Sequence, residues 1–95
     1  MKVKTTSRFD RCIKKLHPQE KESLNHAVKA ILSNPIAGEA KKGDLAGVLV
    51  YKYKYQQQLL LLAYSIDNPN QQLILLGYGT HENFYRDLKF DADVI

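Results

Sequence analysis

The stretch from Leu59 to Ile66 constrains the fold of this chain more than any other segment. It is apolar on both faces when drawn as an extended strand, and such a strand has to be covered on both sides. The run is much shorter than the roughly 20 residues that a membrane-spanning helix needs. The chain must therefore fold around a sheet in which this segment is a central strand.

Two further strands flank this segment in the sequence. From Val48 to Tyr55 the side chains alternate, which is the period of a strand with two different faces. One face takes Leu49, Tyr51, Tyr53 and Tyr55, and the other takes Val50, Lys52 and Lys54. Turns are predicted at residues 56–58 and 67–70, and a third long strand at residues 72–78. Together the three strands predict an antiparallel meander.

Helical spacing is confined to the first third of the chain. Apolar residues one helical turn apart predict two helices: Phe9, Cys12, Ile13 and Leu16 in the first, and Leu24, Val28, Ile31 and Leu32 in the second. Thr6 or Ser7 can cap the first helix, and Pro18 suits the first position of the second. The second helix is expected to end at Asn34-Pro35.

The remaining segments complete the predicted fold. Residues 3–5 can form a short strand, residues 35–47 a connection, and Thr80 the N-cap of a short final helix. The order of elements predicts a single α+β domain over residues 1–95. Two N-terminal helices pack on a small, mainly antiparallel sheet, and a short C-terminal helix follows.

Composition limits the possible functions. The chain has 95 residues, 44% of them hydrophobic, which leaves room for one core and a shallow site but no deep cofactor cavity. A single cysteine, Cys12, and an N-terminus without an apolar leader predict a cytoplasmic protein. No phosphate loop, dinucleotide-binding glycine pattern, nucleophile motif or metal-ligand spacing is found in the sequence. We therefore expect neither a metal nor a bound cofactor.

The positive charge is unevenly distributed. Of the 14 lysines and arginines, only Arg86 and Lys89 lie after residue 54, whereas the acidic residues are divided evenly between the two parts. A concentration of positive charge is typical of nucleic-acid binding. Lysines that only keep the protein soluble give the same pattern. Charge therefore indicates RNA as a partner without deciding the matter.

Lys52 and Lys54 are the first candidate site. Two residues apart on one strand, they lie on the same face with Cα atoms roughly 6–7 Å apart. Two ammonium groups held this close favour an anion such as phosphate between them. A solvated sheet face with alternating lysines is the other interpretation, and the pattern alone leaves both open.

The second candidate site is the segment from Gly79 to Lys89. At the start of a helix, His81 meets free N–H groups and a positive dipole end, which favour an anion and disfavour imidazolium. A phosphate beside it restores the charged form, as acid–base chemistry on RNA requires. Tyr85 is one turn further on and can stack on a base. The other interpretation is structural: a histidine near the start of a helix, followed by an aromatic residue of the core, gives the same pattern.

The motifs, taken in order, resemble the RelE/ParE toxins of bacterial type II toxin–antitoxin systems. They are Ser33-Asn-Pro35, Lys41-Lys-Gly-Asp-Leu-Ala-Gly47, Tyr51-Lys-Tyr-Lys54, Leu61-Leu-Ala-Tyr64 and Gly79-Thr-His81. The resemblance extends over essentially the whole chain and is nearest to the His-bearing, YafQ-like branch. It implies the RelE-like fold and a toxin that cuts mRNA in the ribosomal A site without a metal.

The resemblance also implies roles for particular residues. In RelE-like toxins the ribose 2′-OH attacks the adjacent phosphate and the 5′-oxygen leaves. Lys52 and Lys54 match the basic strand residues that hold the phosphate and stabilise its charge. His81 matches a position that is Arg in RelE and His in YafQ-like and YoeB-like toxins, and Tyr85 matches the aromatic residue that follows it. Arg86 is a further candidate for phosphate contact.

Partners follow from the same resemblance. It implies the ribosome, mRNA and a small cognate antitoxin, and we expect an acidic antitoxin segment on the basic first half around Lys52. No membrane and no small-molecule cofactor is expected.

One departure from the family affects the mechanism. RelE has an arginine on its central strand, where this chain has leucines from Leu59 to Leu62. His81 would then be the general acid. No carboxylate is expected beside Lys52 and Lys54, which leaves a neutral lysine or the ribosome as the base. ParE-like members share the fold but inhibit DNA gyrase by binding, so that function stays open as the alternative.

Overall fold

The protein is an α+β domain of two helices on one face of a five-stranded sheet. The computed structural model describes residues 1–80, the side chain of Asp44 excepted. In chain order its elements are β1 (Lys2–Thr5), α1 (Ser7–Ile13), α2 (Pro18–Ser33), β2 (Glu39–Ala40), β3 (Leu49–Tyr55), β4 (Gln58–Asp67) and β5 (Gln72–Thr80). No helix within these residues is long and apolar enough to cross a membrane.

The strands lie in the order β1-β5-β4-β3-β2. The pairs β2–β3, β3–β4 and β4–β5 are antiparallel, and β1 pairs in parallel with β5. The sheet is therefore mixed, although most of its pairs are antiparallel as predicted. β4 lies at its centre, which confirms the prediction from the apolar run.

Both helices begin where the sequence predicts. The Phe9 backbone N–H donates to Thr6 Oγ1 at 3.2 Å, so Thr6 caps α1. Pro18 is the first residue of α2, where the N–H that it lacks would have no helical partner. Phe9, Leu24 and Ile31 then bury the inner faces of the two helices.

The sheet buries side chains on both faces. The main core lies between the helices and the sheet and contains Phe9, Leu24, Ala27, Ile31, Leu60, Leu62, Tyr64, Leu73, Leu75 and Tyr78. On the other face, a smaller cluster contains Val50, Leu61 and Ala63. The alternation along β3 is as predicted, since its four helix-side residues pack against the main core while Val50 belongs to the other face.

Two local predictions were wrong. The third long strand was predicted at residues 72–78, but β5 continues to Thr80, which pairs with Leu60. Residues 35–47 are not a plain connection, since they contain β2 and a 3₁₀ turn at Gly43–Leu45. The predicted C-terminal helix lies outside the described residues.

The connection between α2 and β2 is fixed by one buried phenol. Tyr64 donates its hydroxyl proton to the Pro35 carbonyl at 2.7 Å and accepts from the Gly38 N–H at 2.9 Å. A Cβ atom at Gly38 would lie 2.6 Å from the Tyr64 hydroxyl oxygen, so only glycine permits this approach. The chain is thereby drawn towards the core just before β2, which leaves β2 only two residues long.

We predict that Tyr64→Phe lowers the free energy of unfolding by about 1–3 kcal/mol, because it removes the partner of two backbone groups in a part-buried site. Chemical denaturation measures the change. Tyr55→Phe is the matched control, since no hydrogen bond to the Tyr55 hydroxyl is found within residues 1–80. Equal stability of the two variants would show that the phenol does not hold the connection.

Candidate functional site

The face of the sheet that points away from the helices carries the candidate site. Lys52 and Lys54 project from this face of β3, and both are exposed. They pair across the sheet with Leu61 and Leu59 of β4. The structure thus brings the two lysines together on an accessible surface, as the alternation predicts.

A carboxylate lies beside Lys52, contrary to our expectation. Glu39 Oε2 is 3.5 Å from Lys52 Nζ and 3.4 Å from Lys41 Nζ. Glu39 is distant in sequence from Lys52, but β2 pairs it with Val50, two residues from Lys52 on the same face. The position of Glu39 could not be predicted from the sequence, because a strand of two residues is too short to show an alternation.

The two lysines around Glu39 determine its charge. Its hydrogen bond and attraction to Lys41, followed by those to Lys52, hold the pKa of the Glu39 carboxyl below its usual value. A carboxylate with a lowered pKa is a weak proton acceptor, so Glu39 is poorly suited to serve as a general base. It instead neutralises part of the positive charge on this face and holds the Lys52 ammonium towards β2.

Hydrogen bonds on the helix side fix the strand that carries the lysines. Tyr53, which lies between them in sequence, donates to the Tyr78 hydroxyl at 3.3 Å, and Tyr78 donates to Glu20 Oε2 at 2.5 Å. Burial raises the pKa of Tyr78, and its bonds to Glu20 and Tyr53 raise it further, so the phenol stays protonated. The network joins α2 to β5 and β3 beneath the site.

The second predicted site is only partly described. His81, Tyr85 and Arg86 lie outside the described residues. The last described residues of β5 are Gly79, which pairs with Leu61, and Thr80, which pairs with Leu60. Since Leu61 also pairs with Lys52, the end of β5 is two strands, or about 10 Å, from the lysine pair.

A metal site is not found in the described part of the chain. Within residues 1–80, no three His, Cys, Asp or Glu side chains lie together as a metal ion would require. The basic surface around Lys52 can bind an anion by charge alone.

A family comparison identifies the kind of protein to which this fold and basic face belong. The sequence pattern of one protein family, the ParE-like toxins of type II bacterial toxin–antitoxin systems, matches residues 3–89 of this chain. The chain belongs to this family. No curated protein matches the toxin in sequence.

Solved structures resemble the toxin in fold. The toxin–antitoxin complex RelBE2 from Mycobacterium tuberculosis matches with a TM-score of 0.71 and 21% identity, covering 84% of this chain and 96% of the other. The intact E. coli RelBE complex matches with a TM-score of 0.66 and 18% identity, covering 83% of this chain and 94% of the other. The YoeB/ParE toxin from Agrobacterium tumefaciens matches with a TM-score of 0.67 and 20% identity, covering 85% of this chain and 99% of the other. At these identities the likeness is one of fold, and it confirms the RelE-like architecture.

We predict that Glu39→Gln binds single-stranded RNA more tightly than the unmodified toxin, because the substitution removes the carboxylate that neutralises part of the charge at Lys52. The gain should be only about two- to fivefold, because an exposed ion pair of this kind contributes little. The lowered pKa keeps Glu39 charged as the pH falls. The higher RNA affinity of the variant should therefore persist through the pH range in which glutamate usually titrates and vanish only below that range. Fluorescence anisotropy at low salt measures both effects.

Glu22→Gln, an exposed carboxylate on α2, is the matched control and should leave RNA affinity almost unchanged. An equal gain in both variants would mean that net charge alone matters and that Glu39 has no specific effect on Lys52.

Proposed function

We propose that this toxin is a ribosome-dependent endoribonuclease that cuts mRNA and so inhibits translation. The observation that carries the proposal is the exposed lysine pair on the outer face of β3. A phosphate in transfer gains negative charge, and ammonium groups already in position stabilise that charge without reorganisation. The site would bind the scissile phosphate of mRNA in the cytoplasm, on the ribosome.

The proposed reaction needs no metal. The ribose 2′-OH loses its proton and attacks the adjacent phosphate, and a 2′,3′-cyclic phosphate forms as the 5′-oxygen leaves with a proton. Lys52 and Lys54 stabilise the phosphate in this scheme. The lowered pKa of Glu39 argues against it as the base, which leaves a neutral lysine or a group of the ribosome for that role.

We assign the second half of the mechanism to the segment after β5. His81 follows Thr80 directly in the sequence and is the proposed general acid for the leaving 5′-oxygen. Tyr85 would stack on a base, and Arg86 would contact a phosphate. These roles, and the place of the toxin near the YafQ-like branch, rest on the Gly79-Thr-His81 motif.

Inhibition of DNA gyrase by binding is the alternative function, and one pair of assays separates the two. We expect the purified toxin to truncate mRNA on translating ribosomes and to leave gyrase supercoiling unaffected. Cleavage should persist with a metal chelator while Mg²⁺ for the ribosomes is held constant. Lys52→Ala combined with Lys54→Ala should reduce cleavage and growth arrest markedly. Inhibition of gyrase without truncated mRNA would overturn the proposal.

The proposed acid gives the sharpest test of the mechanism. His81→Gln should lose about 10²–10⁴-fold in single-turnover cleavage rate, because glutamine cannot exchange a proton near neutral pH. Ribosome binding and the melting temperature should change little. Tyr85→Phe is the companion variant: retained cleavage assigns the ring to stacking, and lost cleavage assigns a role to the hydroxyl. A His81→Gln protein that binds ribosomes and cleaves at the original rate would remove His81 from the mechanism.

A further inference from the structure

A groove lies between α2 and β3, on the side of the sheet that faces the helices. Its volume is about 480 Å³, within the range of roughly 300–1,000 Å³ that small-molecule sites span. Among residues 1–80, the side chains that line it are Gln19, Glu22, Ser23, His26, Ala27, Tyr51 and Tyr53. The groove is therefore large enough to hold one small molecule.

The groove exists because the helix does not fill the space in front of the sheet. The lining residues of α2 recur with the helical period between positions 19 and 27, so they form one stripe that faces β3. Two of them, Ser23 and Ala27, are small. Ser23 also turns back onto the helix, where its hydroxyl donates to the Glu20 carbonyl at 2.8 Å. Space is therefore left between the helix and the strand.

Two aromatic rings form the sheet wall of the groove. Tyr51 and Tyr53 are two residues apart on β3, with ring centroids 6.2 Å apart and planes inclined by 35°. The Tyr53 hydroxyl donates to the Tyr78 hydroxyl, which donates in turn to Glu20. The Tyr53 ring is thus held in place before a ligand arrives, and a wall that is already ordered reduces the entropy cost of binding.

The charge of the groove is opposite to that of the lysine pair. Among the described residues, Glu22 is the only lining side chain with a formal charge when histidine is counted as neutral. Within residues 1–80, no hydrogen bond or ion pair to the Glu22 carboxylate is found. The faces of tyrosine rings also attract cations. The groove therefore favours a ligand that carries positive charge.

We propose that the groove between α2 and β3 binds a small organic cation, in which an ammonium or amidinium group is attached to an apolar ring. The ring lies against Tyr51 and Tyr53, and the cationic group pairs with the Glu22 carboxylate. One ligand of this kind satisfies both parts of the groove, because it forms an aromatic contact, a cation–π attraction and a charge-assisted hydrogen bond together.

This site is separate from the proposed RNA site. Lys52 and Lys54 alternate with the two tyrosines along β3 and so project from the opposite face of the sheet. A phosphate in the groove would meet the Glu22 carboxylate instead of a lysine, and the repulsion disfavours RNA there. Binding of the organic cation therefore does not require the toxin to be a nuclease.

Benzamidine and benzamide are suitable probes, because they share a ring and differ in charge. We expect benzamidine to shift the backbone amide resonances of residues 19–27 and 51–53 of the unsubstituted toxin in a saturable way. Benzamide should bind about three- to tenfold more weakly, as the loss of an exposed ion pair and a cation–π contact implies. Equal affinities of the two probes, or shifts that lie outside the groove, would overturn the proposal.

One substitution tests which group binds the cation. Glu22→Gln keeps the shape of the side chain and should weaken benzamidine binding to the level of benzamide, while benzamide binds as before. Asp10→Asn is the matched control, since Asp10 is an exposed carboxylate on α1 outside the groove and its loss changes the net charge equally. This variant should bind benzamidine as the unsubstituted toxin does.

Two results from these titrations would contradict the proposal. An equal loss of benzamidine affinity in Glu22→Gln and Asp10→Asn would mean that net charge alone attracts the cation. Shifts of the same groove amides by an RNA oligonucleotide, with benzamidine displaced, would assign the groove to RNA.

Discussion

The two hydrogen bonds of the Tyr64 hydroxyl determine the form of this face of the molecule. Tyr64 lies on the central strand and is fully buried, so its hydroxyl must find partners in the protein, and it finds them in Pro35 and Gly38. The chain therefore reaches the edge of β3 only at Glu39 and pairs with it for two residues. This short pairing has two consequences: Glu39 lies beside Lys52, and the edge of β3 beyond Val50 stays open.

The sheet separates a structural face from a basic face. On the helix side, Tyr53, Tyr78 and Glu20 form a chain of hydrogen bonds that fixes β3 against α2. On the other side the same strand presents Lys52 and Lys54 to solvent. Because β3 is held from beneath and paired with β4 along its length, the two ammonium groups rise from a rigid support. Rigid placement of charge is what an anion site requires.

The proposed function depends on the charge of the lysine pair and on the carboxylate beside it. In the proposed reaction, Lys52 and Lys54 are the groups that would hold the scissile phosphate. The Glu39 carboxylate neutralises part of the positive charge beside Lys52. The affinity of this face for a phosphate would thus depend on Glu39 as well as on the two lysines.

The sequence by itself determined the elements whose patterns are local. The run from Leu59 to Ile66 indicated a central strand, and the alternation at residues 48–55 put Lys52 and Lys54 on one face, opposite the tyrosines. Thr6 or Ser7 marked the start of the first helix and Pro18 the start of the second. Only the tertiary structure decided the short strand at Glu39, the parallel pairing of β1 with β5, and the extension of β5 to Thr80. Periodicity reports which faces of a segment are buried, whereas strand pairing depends on distant residues such as Tyr64 and Gly38. No local window contains both partners, so the carboxylate beside Lys52 could be found only in the folded chain.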